Sequence, residues 1–243
     1  MVDVYYIAIS TYFCALEYLY SLLSKKEKIQ SQKFFTVNLS NKYIVTRAIL
    51  RSILAKHLKI VPQDIEFVKN SYGKPFVRGV KIEFNMSHSH DFACYAIGAD
   101  FSIGIDIEFY NKEKNIFNIA ESVFNANELE FFLDLPSIER QEFFFTTWTK
   151  KEAVIKAMGL GLAYPMEQVD TILEKRVGYI GLSGDRYYLH ALNSNNQYKA
   201  YLAVKNKSDI LVNQQQLEVL CGKGQFFSQG VSSPLSINSY RAF

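Results

Sequence analysis

Residues 92–98, FACYAIG, are apolar on both faces, so they read as a strand buried on both sides. Residues 103–109, IGIDIEF, read as a second strand directly after it. The rest of the chain arranges itself around this pair. Val4–Ser10 is β-branched and aromatic enough for an opening strand, and a helix follows to about Leu23. Asn38 to Leu58 places Ile44, Ala48, Leu50, Leu54 and Leu58 near helical spacing. Pro62 and Gly73 punctuate loops and short strands beyond it. After IGIDIEF, helical stretches are expected at roughly 116–133 and 138–158, with Pro136 between them and Gly159 and Gly161 ending the second. Short strands return from about 168 to 204, as VDTIL, VGYIGL, RYYLHA and YKAYLAV.

The order strand, helices, strands thus occurs twice, without a residue-level repeat. It predicts an α+β fold of two similar halves forming a pseudo-dimer, residues 1–101 and 102–221. A Gly- and Ser-rich tail, 222–243, is expected to be weakly ordered. With 27 basic and 24 acidic residues the net charge is +3, which permits a phosphate ligand or an acidic partner. It does not by itself make a nucleic-acid binder. Cys14, Cys94 and Cys221 are widely spaced with no CxxC pair, so reduced, buried thiols are expected. Val4 to Leu16 is uncharged, but Asp3 stands where a signal peptide needs basic residues, and the run is too short to span a bilayer. A cytoplasmic protein with no membrane contact is the expectation.

Asp106 and Glu108 lie two apart on a strand and so share a face, with Ile105 and Ile107 on the other. Two like charges side by side suit a hard divalent cation; an exposed strand face decorated with acids is the plainer alternative. In WTKKEAVIK, 148–156, Phe144, Trp148, Ile155 and Met158 share a helix face with Glu152 on its flank and Lys156 a turn further along. Glu152 and Lys156 would be a routine surface pair, except that the carboxylate sits where an unpaired charge is costly. Lys150 is expected to be solvated, and Lys151 to lie on the opposite flank. Ser87 and His88, in FNMSHS, and Lys74, in GKP, are structural residues or phosphate donors. No GxSxG elbow, Walker loop or GxGxxG is present. His88, His90 and Asp91 lack the further ligand that zinc requires.

IGID at 103–106 and WTKKEAVIK at 148–156, with YGKPF and FNMSHS upstream, resemble the 4′-phosphopantetheinyl transferase superfamily in its two-half, broad-specificity (Sfp) form. The likeness spans roughly residues 1 to 205. It implies transfer of the phosphopantetheine arm of coenzyme A to a serine of an apo acyl or peptidyl carrier protein, in fatty acid or secondary metabolism. It also implies Mg²⁺, with Mn²⁺ as an alternative, held by Asp106, Glu108 and Glu152. Lys156 would contact the reacting phosphate with Lys151 near it, and Lys74, Ser87 and His88 would hold the adenosine end and its 3′-phosphate. Either Glu152 or a metal-bound water would take the serine proton, with Glu152 favoured. The family often carries a basic patch before its first long helix. Here Lys25, Lys26, Lys28 and Lys33 are interrupted by Glu27, Gln30 and Gln32. A single chain holding both halves is expected to act as a monomer, without nucleic acid. Two other readings compete: a catalytically silent coenzyme A-binding protein of the same fold, and a metal-dependent nuclease built on Asp106 and Glu108.

Overall fold

The opening strand runs as β1, Val2–Ala8, in a computed structural model that describes residues 1–98, 100–110, 115–161, 164–172, 177–180, 184–219 and 226–231. A 3₁₀ turn, Ile9–Ala15, leads into α1, Leu16–Ser21, and α2, Lys25–Ser31. The long helix α3, Val37–Leu58, starts at the Thr36 cap, whose side chain accepts from Leu39 N. The strands β2, Phe67–Lys69, and β3, Pro75–Val77, form a separate hairpin. β4, Glu83–Ser89, and β5, Phe92–Gly98, pair antiparallel, and β5 pairs in turn with β1. Beyond β6, Ile103–Phe109, come α4, Phe117–Val123, α5, Ala126–Asp134, and α6, Ser137–Met158. The chain then adds β7, Val177–Ile180, β8, Arg186–Ala191, β9, Tyr198–Lys205, β10, Val212–Val219, and β11, Phe226–Val231.

Two sheets result, ordered β11-β10-β1-β5-β4 and β6-β9-β8-β7. Strand alternation sorts the side chains into layers. From β1, Tyr5 and Ile7 pack with α1 and α3, whereas Val2, Val4 and Tyr6 meet Ile103, Ile105 and Ile107 of β6 and Leu202 of β9. The outer face of the second sheet, with Ala203, packs on Ala153, Val154 and Ala157 of α6. The described architecture is therefore helix, sheet, sheet, helix, and β5, the strand read as buried, lies in its middle against β6.

Several features differ from the sequence reading, the first three for local reasons. The helix expected over 116–133 breaks at Phe124, whose backbone is extended, and Asn125 starts a new one through a capping box with Glu128. VDTIL does not begin as a strand: the Thr171 N–H and hydroxyl both donate to Glu128 Oε1 instead of to a neighbouring chain. Part of the tail expected to be weakly ordered is the strand β11, which satisfies the outer edge of β10; residues 222–225 and 232–243 lie outside the described residues. Finally, β10, from the second half of the chain, pairs parallel with β1 and joins the sheet of the first half. Cys94 is free and buried, as expected, but Cys14 is exposed and disulfide-bonded; Cys221 lies outside the described residues.

Candidate active site

The site begins with a glycine. A Cβ on Gly104 would stand 2.1 Å from the Ala153 carbonyl oxygen and 2.3 Å from Ala157 N. Only glycine lets β6 and α6 approach this closely. Asp106 and Glu108, on the same face as Gly104, are thereby brought under Glu152 and Lys156 of α6. The helix then ends at Gly159, in the left-handed conformation with φ 73°, as its position after Met158 predicts.

The third element is β4. It is the edge of the first sheet as β6 is of the second, and no backbone ladder joins them. Phe84 and Met86 turn to the core beside α3. The alternate residues reach across instead. Asn85 Oδ1 accepts from Ile105 N at 2.9 Å, and Ser87 Oγ donates to Asp106 Oδ1 at 2.7 Å. Ser89 Oγ donates to Glu108 Oε2 at 2.8 Å and accepts from Phe109 N at 3.0 Å. This comb of side chains does across the seam what a ladder does within a sheet.

A cavity of about 330 Å³ opens here, lined by Ser87, His88, Asp106, Glu108, Glu152, Ile155, Lys156 and Gly161. Lys156 Nζ lies 2.5 Å from Asp106 Oδ1, 3.0 Å from Ser87 Oγ and 4.0 Å from Glu152 Oε2. Glu108 is held on its other oxygen by the Trp148 indole N–H, at 3.2 Å. Asp106 is buried, and its Oδ2 has no hydrogen-bond partner among the described residues.

Burial pushes Glu152 up to about 7, with Asp106 and Glu108 adding to the rise and Lys156 opposing it. Burial and Asp106 likewise raise Glu108, against the donors Ser89 and Trp148. Burial works against the Lys156 charge, but Asp106 and Glu152 outweigh it and hold the ammonium above the usual lysine range. His88 is pushed down by desolvation, then by Lys156 and Lys42.

Six of the residues expected from sequence therefore meet in one place: Ser87, His88, Asp106, Glu108, Glu152 and Lys156. Two do not. Lys151 is fully buried, 2.6 Å from Glu128 Oε2, and donates to the Met166 and Val169 carbonyls. The expectation that it lies near a reacting phosphate is corrected by that pairing: its charge is spent inside the helical layer. Lys74 donates to the carbonyls of Ile103 and Ala157 and faces Glu83 at 3.5 Å. It lines a larger cavity of about 730 Å³ toward Glu83 and Phe101, not the one holding Ser87 and His88. Lys150 is half-buried with its ammonium 5.5 Å over the Tyr201 ring, rather than solvated. Glu27 does not interrupt a surface patch either; it is buried against Arg47 and Arg51.

Sequence reasoning missed Asn85, Ser89 and Trp148. The alternation Asn-x-Ser-x-Ser on a strand signalled a polar face, but not what that face would meet. Trp148 counted only as apolar, although an indole N–H in a half-buried place seeks an acceptor.

Two family models match: the 4′-phosphopantetheinyl transferase superfamily over residues 102–204, and the N-terminal part of 4′-phosphopantetheinyl transferase over residues 12–99. Among curated proteins, the 4′-phosphopantetheinyl transferase HetI of Nostoc sp. is 33% identical, covering 65% of this chain and 68% of its own. The 4′-phosphopantetheinyl transferase gsp of Aneurinibacillus migulanus is 34% identical over 65% and 70%. The 4′-phosphopantetheinyl transferase Sfp of Bacillus subtilis is 28% identical over 64% and 68%.

Proposed function

The chain belongs to the 4′-phosphopantetheinyl transferase superfamily, and on that footing we propose how its residues carry out the transfer. The enzyme moves the 4′-phosphopantetheine arm of coenzyme A to a serine hydroxyl of an apo carrier protein, releasing 3′,5′-ADP. The observation that carries the residue assignment is the cavity in which Asp106, Glu108, Glu152 and Lys156 converge with Asp106 Oδ2 unpartnered.

Those acids suit a divalent cation, and Mg²⁺ in particular. Among the described residues no three His, Cys, Asp or Glu side chains close into a ready-made cage. A cation held there would complete its shell with water and substrate phosphate, as Mg²⁺ does with one or two carboxylates. Asp106, through its free Oδ2, and Glu108 would hold it, with Glu152 beside them. When bound, it supplies charge stabilisation to the pyrophosphate and to the departing 3′,5′-ADP.

The chain's own groups do the rest. Lys156, kept protonated by its acidic neighbours, neutralises charge developing on the transferred phosphate. Glu152, at about 7, is poised to take the serine proton. Ser87 and His88, on the cavity wall, hold the phosphates at the adenosine end of coenzyme A. Lys74 reaches that end only if it leaves the Ile103 and Ala157 carbonyls, so its part is to fasten the seam. The carrier is an acyl or peptidyl carrier domain. Both halves of the site, β4 from the first and β6 with α6 from the second, belong to the same chain, which supports action as a monomer. Among the described residues no helix is long and apolar enough to cross a membrane.

The test incubates purified protein with Mg²⁺, coenzyme A and a panel of apo carriers from fatty-acid, polyketide and peptide synthesis. A gain of one phosphopantetheine by intact-mass spectrometry is expected for at least one carrier. No gain on any of them would refute the reading.

A further inference from the structure

We infer that Ser89 is a positioning residue for this reaction: it fixes the Glu108 carboxylate and thereby sets how tightly the site holds a divalent cation. The inference rests on the reading above, in which Glu108 takes part in holding that cation.

Glu108 is half-buried near the end of β6, where a glutamate side chain has several rotamers open to it. Two donors remove that freedom. Trp148 reaches Oε1 from α6, at 3.2 Å, and Ser89 reaches Oε2 from β4, at 2.8 Å. The serine is itself oriented. Its oxygen accepts the Phe109 N–H at 3.0 Å, which leaves its own O–H directed to the carboxylate. Ser89 belongs to the first sheet and Glu108 to the second, and no backbone pairing connects those edges. The hydroxyl is therefore the contact through which the first half of the chain sets the angle of Glu108, as Ser87 does for Asp106. Outer-shell donors to ligating carboxylates typically change metal affinity by about 10- to 100-fold when removed.

The alternative is that Ser89 merely helps bolt the two sheets together. Metal affinity separates the two, and the molecule contains its own reporter: Trp148 is the one tryptophan in the chain and touches the same carboxylate. Mn²⁺ is titrated into the full-length protein without coenzyme A, followed by tryptophan fluorescence and by calorimetry. Ser89→Ala is expected to weaken Mn²⁺ binding by about tenfold. Ser89→Thr, which keeps the hydroxyl, should stay within about twofold of wild type, and KM for coenzyme A measured at saturating Mg²⁺ should move less than about twofold in both. Should the alanine variant not fold, Ser89→Cys keeps the volume with a weaker donor and is read the same way.

Unchanged Mn²⁺ affinity in Ser89→Ala overturns the inference, as does an equal loss in Ser89→Thr or no saturable Mn²⁺ binding by wild type. A wild type that binds Mn²⁺ and responds to Ser89→Ala, yet modifies no carrier, would instead refute the functional reading and leave only the setting of Glu108 toward the cation in place.

Discussion

Asp106 is the side chain on which the site turns. It accepts from Ser87 and Lys156 on one oxygen and leaves the other free. Asp106→Ala should cut Mg²⁺-dependent transfer by at least about 100-fold while far-UV circular dichroism stays near wild type; equal activity would mean that the cation is held elsewhere. Lys151, five residues before Lys156, belongs to a different problem. Its pair with Glu128 is fully buried, so Lys151→Met should cost about 3–5 kcal/mol by leaving that buried carboxylate without its counter-charge. The double variant Lys151→Met with Glu128→Gln, which removes the charge but keeps an acceptor for Thr171 and the capping box, should recover part of the loss in chemical denaturation. The two lysines look alike in sequence, and only the packing of α5 tells them apart. IGID and the spacing to Glu152 made the acids legible from sequence. Lys151 was not, because its partner is fixed by a helix boundary that Asn125 sets.

Helices were the most legible elements, since their signals are local. The expected 138–158 and the observed Ser137–Met158 agree because Pro136 and Gly159 bracket an apolar stripe. The seam was not legible, because Asn85, Ser87 and Ser89 find partners on a strand that is distant in pairing though near in sequence. Gly104 lies where β6 comes closest to α6. Gly104→Ala should displace α6, lower stability by about 1–3 kcal/mol or more, and depress activity, since Glu152 and Lys156 ride on that helix. Thermal unfolding and the carrier assay together check this. On the other side of the molecule, Glu27 caps α2 through Ser24 and ties it to α3 through Arg47 and Arg51. Burial alone would raise its carboxyl, but the hydrogen bond from Arg51 and the charges of both arginines hold it below the usual range. A depressed value means its stabilisation is complete above the unfolded value of about 4.3 and fades as pH falls through the folded one. Glu27→Gln should therefore lower the urea midpoint at pH 7. The gap to wild type should close as the pH drops below about 4. A gap that widened in acid would contradict the assignment.

At the scale of the whole molecule, the two halves of the chain do not correspond to the two sheets. β10 completes the first sheet by lying parallel to β1, from Val2 opposite Val212 to Tyr6 opposite Gln216. No local pattern announces that pairing, since its members lie at opposite ends of the described chain. Truncation after Lys205 should strip β1 of this neighbour and turn soluble protein into aggregate, measured as the soluble fraction on expression. Size-exclusion chromatography with light scattering should give the mass of one chain for the intact protein. The same pairing sets a timetable for synthesis. A ribosome adding roughly 5–20 residues per second reaches β10 on the order of ten to forty seconds after it has made β1. Throughout that interval the edge of β1 is open to any strand within reach, including the β1 of a neighbouring nascent chain on the same message. The catalytic side chains are all translated before the lock that secures them, so the speed of elongation and the crowding of a polysome bear directly on how much active enzyme a cell obtains.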